Sequence, residues 1–155
     1  MAQGFNTGIP FVLLASAART TSTNSGNLKD TSTSCPVSDS LTFILNVTAL
    51  AGNGTAPTLD VWIDTSWDGG TTWLTAYKFT RVSTSTATLR IDTRDTGLGV
   101  TEAGVQTSVI TSTTGAVNSN TIIARDCRVR WEILAAYSGS ATFGVFGLAM
   151  PPGTK

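Results

Sequence analysis

Histidine is absent from this chain of 155 residues. That removes the commonest general base near neutral pH, the commonest zinc ligand and the central member of a Ser-His-Asp triad. Charge is scarce too: Asp, Glu, Lys and Arg make up 13% of the residues, against a usual share of roughly 25%. The formal net charge is +0 and neither sign is concentrated in a block. Nucleic-acid binding, which needs a basic face to displace counterions, is therefore not expected, and neither is a polybasic membrane contact. The two cysteines, Cys35 and Cys127, are too widely spaced for a zinc or redox motif; they could pair across the domain, but buried free thiols are the plainer expectation. No apolar run approaches the roughly 20 residues of a membrane span. Residues 9–18 are short, lack a basic flank and contain Pro10, unlike a secretory signal, so synthesis in a cytoplasm is expected.

What fills the space is Thr, Ser, Val and Gly, a composition that favours strands over helices. The clearest pattern is LDVWIDTSWDGGTTWLTAYKFT at 59–80. Leu59, Val61 and Ile63 share one parity before its centre, and Trp73, Tyr77 and Phe79 share one parity after it. Asp68-Gly69-Gly70 between them supplies the positive φ that a tight hairpin turn needs, so a hairpin is expected. Ser66, Asp68, Gly70, Thr72 and Trp73 also fit the S-x-D-x-G-x-T-W box repeated in sialidase propellers. Its physical content is a turn in which an Asp accepts backbone amides, and Ser66, Asp68, Gly69, Gly70, Thr72 and Trp73 are read as turn residues. One box without repeats cannot build a propeller.

Elsewhere, LTFILNVTAL at 41–50 alternates Leu41, Phe43, Leu45 and Val47 inward. Leu89 and Ile91 mark a short strand at 88–92, and CRVRWEI at 127–133 sets Arg128, Arg130 and Glu132 against Val129, Trp131 and Ile133. Residues 137–140 read as a turn, and residues 142–150 are apolar on both faces, as in a central or covered strand. Val100, Val105, Val109 and Ile110 suggest one irregular strand within a long Gly- and Thr-rich loop. Seven or so short strands without a helical period predict an all-β protein, an antiparallel β-sandwich or a jelly-roll-like small barrel. Residues 41–150 form that domain and 151–155 a tail. Residues 1–40 are expected to be an extended arm that can include a first strand, docking on a partner through Phe5, Ile9, Phe11 and Leu13.

No residue set carries chemistry. Asp60, Asp64 and Asp68 recur every fourth position, but neither glycosidase carboxylates nor a calcium site is favoured over ordinary exposed Asp. No catalytic, cofactor-binding or metal-binding residue is assigned, and no cofactor is expected. Arg128 and Arg130 are expected in ion pairs across strands or with a neighbouring subunit. Weak surface charge and a two-faced terminal strand predict a homo-oligomer, a trimer by closed symmetry.

The order LTFILNVTAL, PTLDVWIDTSWDGGTTW, CRVRWEI, a Gly-Ser turn and ATFGVFGLAM resembles the small β-sandwich structural proteins of tailed bacteriophages. The likeness spans residues 41–150 and is greatest to capsid decoration (cement) proteins. It implies a structural virion protein on the capsid exterior that binds the major capsid protein and bridges coat subunits. The other class in view is a tail or receptor-binding, carbohydrate-binding module, with Trp62, Trp67 or Tyr77 stacking on sugar rings.

Overall fold

The computed structural model describes residues 8–20, 23–24, 40–53, 57–92, 105–106, 126–135 and 138–150. These contain nine strands and no helix: β1 (Ile9–Arg19), β2 (Thr23–Asn24), β3 (Ser40–Asn53), β4 (Thr58–Ser66), β5 (Leu74–Lys78), β6 (Ala87–Asp92), β7 (Val105–Gln106), β8 (Asp126–Leu134) and β9 (Ser138–Met150). One sheet has the order β1-β9-β3-β6-β7 and the other β2-β8-β4-β5. All ladders are antiparallel except the short pairing of β6 with β7. The protein is an all-β sandwich.

Alternation builds the core. Leu41, Phe43, Leu45 and Val47 of β3 face Leu59, Val61 and Ile63 of β4 across the interior, and all are buried. The sheets meet through Phe43 and Tyr77, with ring centroids 5.9 Å apart, and through Trp131 and Phe143 at 5.7 Å. β9 lies between β1 and β3, an interior strand of its sheet as its apolar sequence suggests. Phe143 and Val145 point into the core, whereas Phe146 and Leu148 are half-buried on the outer side. Cys127 is buried on the inner face of β8; Cys35 lies outside the described residues.

Two details differ from the sequence expectation, and a third lies largely outside the described residues. Residues 138–140, expected as a turn, belong to β9, because β3 runs on to Asn53 and pairs with them there. β5 is bulged: Ile63 pairs with Tyr77 but Asp64 pairs with Thr75, so Ala76 is extra. One extra residue reverses the facing of everything before it, and Trp73 therefore does not join Tyr77 in the core. It lies half-buried under Arg128, whose guanidinium carbon is 4.4 Å from the ring centroid. Finally, of the expected irregular strand only Val105 is described, in β7; Val100, Val109 and Ile110 lie outside the described residues.

The stretch expected as an arm supplies β1, the edge strand beside β9. Leu13 is 2% exposed and Phe11 packs edge-on against Phe43. Gly147 sits opposite Phe11, and any Cβ there would collide with the Phe11 ring, so glycine is what admits the aromatic. Arg19 clasps the far end: its guanidinium donates to the carbonyls of Ala15 (2.8 Å), Ala17 (2.7 Å) and Phe143 (2.6 Å). It also lies over the Trp131 and Phe143 rings, and burial lowers its pKa.

Among the described residues, the sheet edges are poor templates for a further strand. β1 carries Pro10, which has no N–H, and two register shifts; β2 and β7 are two residues long; β5 is short and bulged.

Candidate functional site

The outer face of the four-stranded sheet is built on the alternation of β4. With Leu59, Val61 and Ile63 inward, Asp60, Trp62, Asp64 and Ser66 must point outward. The register of β8 sets Glu132 opposite Asp60, Arg130 opposite Trp62, Arg128 opposite Asp64 and Asp126 opposite Ser66. On the other flank β5 brings Lys78 opposite Trp62.

Cations cover both carboxylates of this row. Arg81 holds Asp60 through Nε (3.1 Å to each oxygen) and Nη2 (2.6 Å), with Lys78 Nζ 3.3 Å away. Burial raises the Asp60 pKa, but the Arg81 hydrogen bonds and the charges of Lys78 and Arg81 outweigh it, and the net shift is downward. The Arg81 pKa is raised in turn, chiefly by its hydrogen bond to Asp60. Asp64 accepts from Arg128 Nε (3.0 Å), Arg130 Nε (3.1 Å) and the Thr75 hydroxyl (3.0 Å). Trp62 stands between the two acids, flanked by Arg130 at 4.2 Å from its ring centroid and Lys78 at 5.0 Å. Asp60 and Asp64, expected as exposed residues, are buried beneath these side chains. At the end of the row Asp126 is buried, and its Oδ1 has no hydrogen-bond partner.

The turn that ends β4 is organised as its sequence predicts. Gly69 and Gly70 have φ of 72° and 89°. Asp68 Oδ1 accepts from the amides of Thr71 (3.1 Å) and Thr72 (2.8 Å) and from the Ser66 hydroxyl (2.8 Å), while Ser66 Oγ accepts from the Gly70 amide (2.8 Å). These bonds, the Thr72 amide first, hold the Asp68 pKa down at about 2. Trp67 projects from the turn, 61% exposed. Asp64 and Asp68, weighed as calcium ligands, are committed to separate partners, and among the described residues no group of three His, Cys, Asp or Glu is placed to hold a metal ion.

The residues assigned to a partner interface do not form one patch. Phe5 lies outside the described residues. Leu13 and, in part, Phe11 are consumed by the protein's own core, leaving Ile9 exposed at the start of β1. Arg128 and Arg130 are together, but on the other sheet. Of the candidate sugar-stacking rings, Tyr77 is buried, Trp62 is flanked by cations and Trp67 is open. Sequence inspection missed Lys78 and Arg81. The available sign was Asp-x-Trp-x-Asp on β4 beside Arg-x-Arg on β8, complementary rows whenever the two strands pair in that register.

Fold and face together define an all-β sandwich protein with a Trp- and Arg-lined sheet. The chain matches no family model, no curated protein and no solved structure.

Proposed function

We propose that this protein is a structural virion component that binds the outer surface of a phage capsid and bridges neighbouring coat subunits, working as a homo-oligomer, a trimer by closed symmetry. One observation carries the proposal. The four sequence blocks that resemble capsid decoration proteins are β3, β4, β8 and β9, the paired central strands of the two sheets. The resemblance therefore falls on the framework of the domain rather than on scattered loops. The blunted edges and the Trp- and Arg-lined face suit a protein whose work is to be held against another surface. The direct test adds purified protein to capsids that lack it and sediments the particles. Saturable binding at a fixed ratio to coat protein is expected, and protein left wholly in the supernatant contradicts the proposal.

A second reading, a tail or receptor-binding module, is favoured by one feature, the exposed Trp67 on a rigid turn. It predicts attachment at the particle's tail rather than over its shell.

A further inference from the structure

We infer that the outer face of the four-stranded sheet is a docking surface for an extended acidic polypeptide segment of the partner protein. This rests on the reading that the domain works by binding another protein, and it names the surface and the chemistry.

The face is sorted by depth. Its carboxylates Asp60 and Asp64 lie at the bottom, with side chains 1% and 3% exposed. The cations that cover them reach outward: Arg81 is 53% exposed, Arg130 36%, Lys78 31% and Arg128 19%. A chain with no net charge thus presents its cations here and hides their counter-charges. Each arginine turns its Nε edge to a buried Asp; Arg81 and Arg130 use Nε and Nη2, which leaves Nη1 outside the pair. The buried acids therefore aim the guanidinium groups before any partner arrives, so less side-chain entropy is lost on binding. Half-buried Trp62 and Trp73 lie beneath Arg130 and Arg128, and Trp and Arg are, with Tyr, the residue types enriched among those that dominate protein interfaces. Glu132, the exposed acid on this face, stands at the Asp60 end beside Arg81.

Spacing selects the form of the ligand. Arg128 and Arg130 are two residues apart on one strand, their backbones roughly 6.6 Å apart, with both guanidinium groups anchored on Asp64. Carboxylates on alternate residues of an extended acidic chain repeat at the same distance. With the sheet edges blunted, such a segment lies across the face instead of joining the sheet.

Titration of the purified protein with poly-L-glutamate, read by tryptophan fluorescence, tests this without any particle, so failure here is separable from failure of the capsid proposal. The wild type is expected to bind, more weakly as salt rises, and not to bind poly-L-lysine. Arg81→Gln should weaken binding at least tenfold, while Arg90→Gln, on the other sheet, leaves it unchanged. Lys78→Gln provides the same comparison if thermal melts show that Arg81→Gln is misfolded. Absence of wild-type binding, or equal binding by Arg81→Gln and wild type, overturns the inference. So does binding of heparin without poly-L-glutamate, since the ligand would then be a sulfated polysaccharide.

Discussion

Asp68 is the residue at which sequence, geometry and a measurable property connect most directly. Its Oδ1 collects two amides and a hydroxyl, and these bonds favour the ionised form, so the folded-state pKa of about 2 lies below the ordinary carboxylate value near 4. A depressed folded pKa contributes stability that is complete above the unfolded value and is lost as pH falls through the folded one. The turn should therefore weaken between about pH 4 and pH 2. Asp68→Asn keeps an acceptor but cannot ionise. Denaturant melts at pH 5 and pH 2.5 should show a smaller acid loss in Asp68→Asn than in the wild type, although Asp60, also depressed, contributes to the loss in both. An identical pH slope in the two proteins would mean that the bonds at Asp68 do not favour its charged form.

β1 is the element on which the sequence and the fold diverge most. As an arm it should be dispensable to the sandwich; as built, its Leu13 is in the core and its ladder covers one edge of β9. Removing residues 1–19 should therefore abolish the cooperative unfolding transition, and Leu13→Ala alone should cost about 2–5 kcal/mol in urea melts. A truncated protein that unfolds as cooperatively as the full chain would return β1 to the status of a tail. Period-two alternation made β3, β4 and β8 legible, because each alternates apolar residues facing the core with polar or aromatic residues facing outward. β1 was obscured: its ladder shifts register twice, and four consecutive apolar residues, Phe11 to Leu14, show no alternation. The Asp-Trp-Asp row had its alternation in plain view, but its burial depends on Arg81, Arg128 and Arg130, supplied by segments whose register no local pattern reveals. The bulge at Ala76 hid the facing of Trp73 for the same reason.

For the whole molecule, the two sheets divide the labour. The five-stranded sheet holds the chain's first long strand and most of the aliphatic core, with Arg19 fastening its edge to Trp131 of the other sheet. The four-stranded sheet carries the Asp68 turn and the cation-lined face, each fixed by hydrogen bonds to a carboxylate. A domain of this kind, displaying a preorganised face, fits the proposal of repeated attachment to a lattice of identical subunits. The copy number of the chain in purified virions, measured by quantitative mass spectrometry against the coat protein, tests that central claim most directly. Decoration of the capsid predicts a number that scales with the coat subunits over the whole shell. A number matching the single tail of each particle, or none at all, would contradict it.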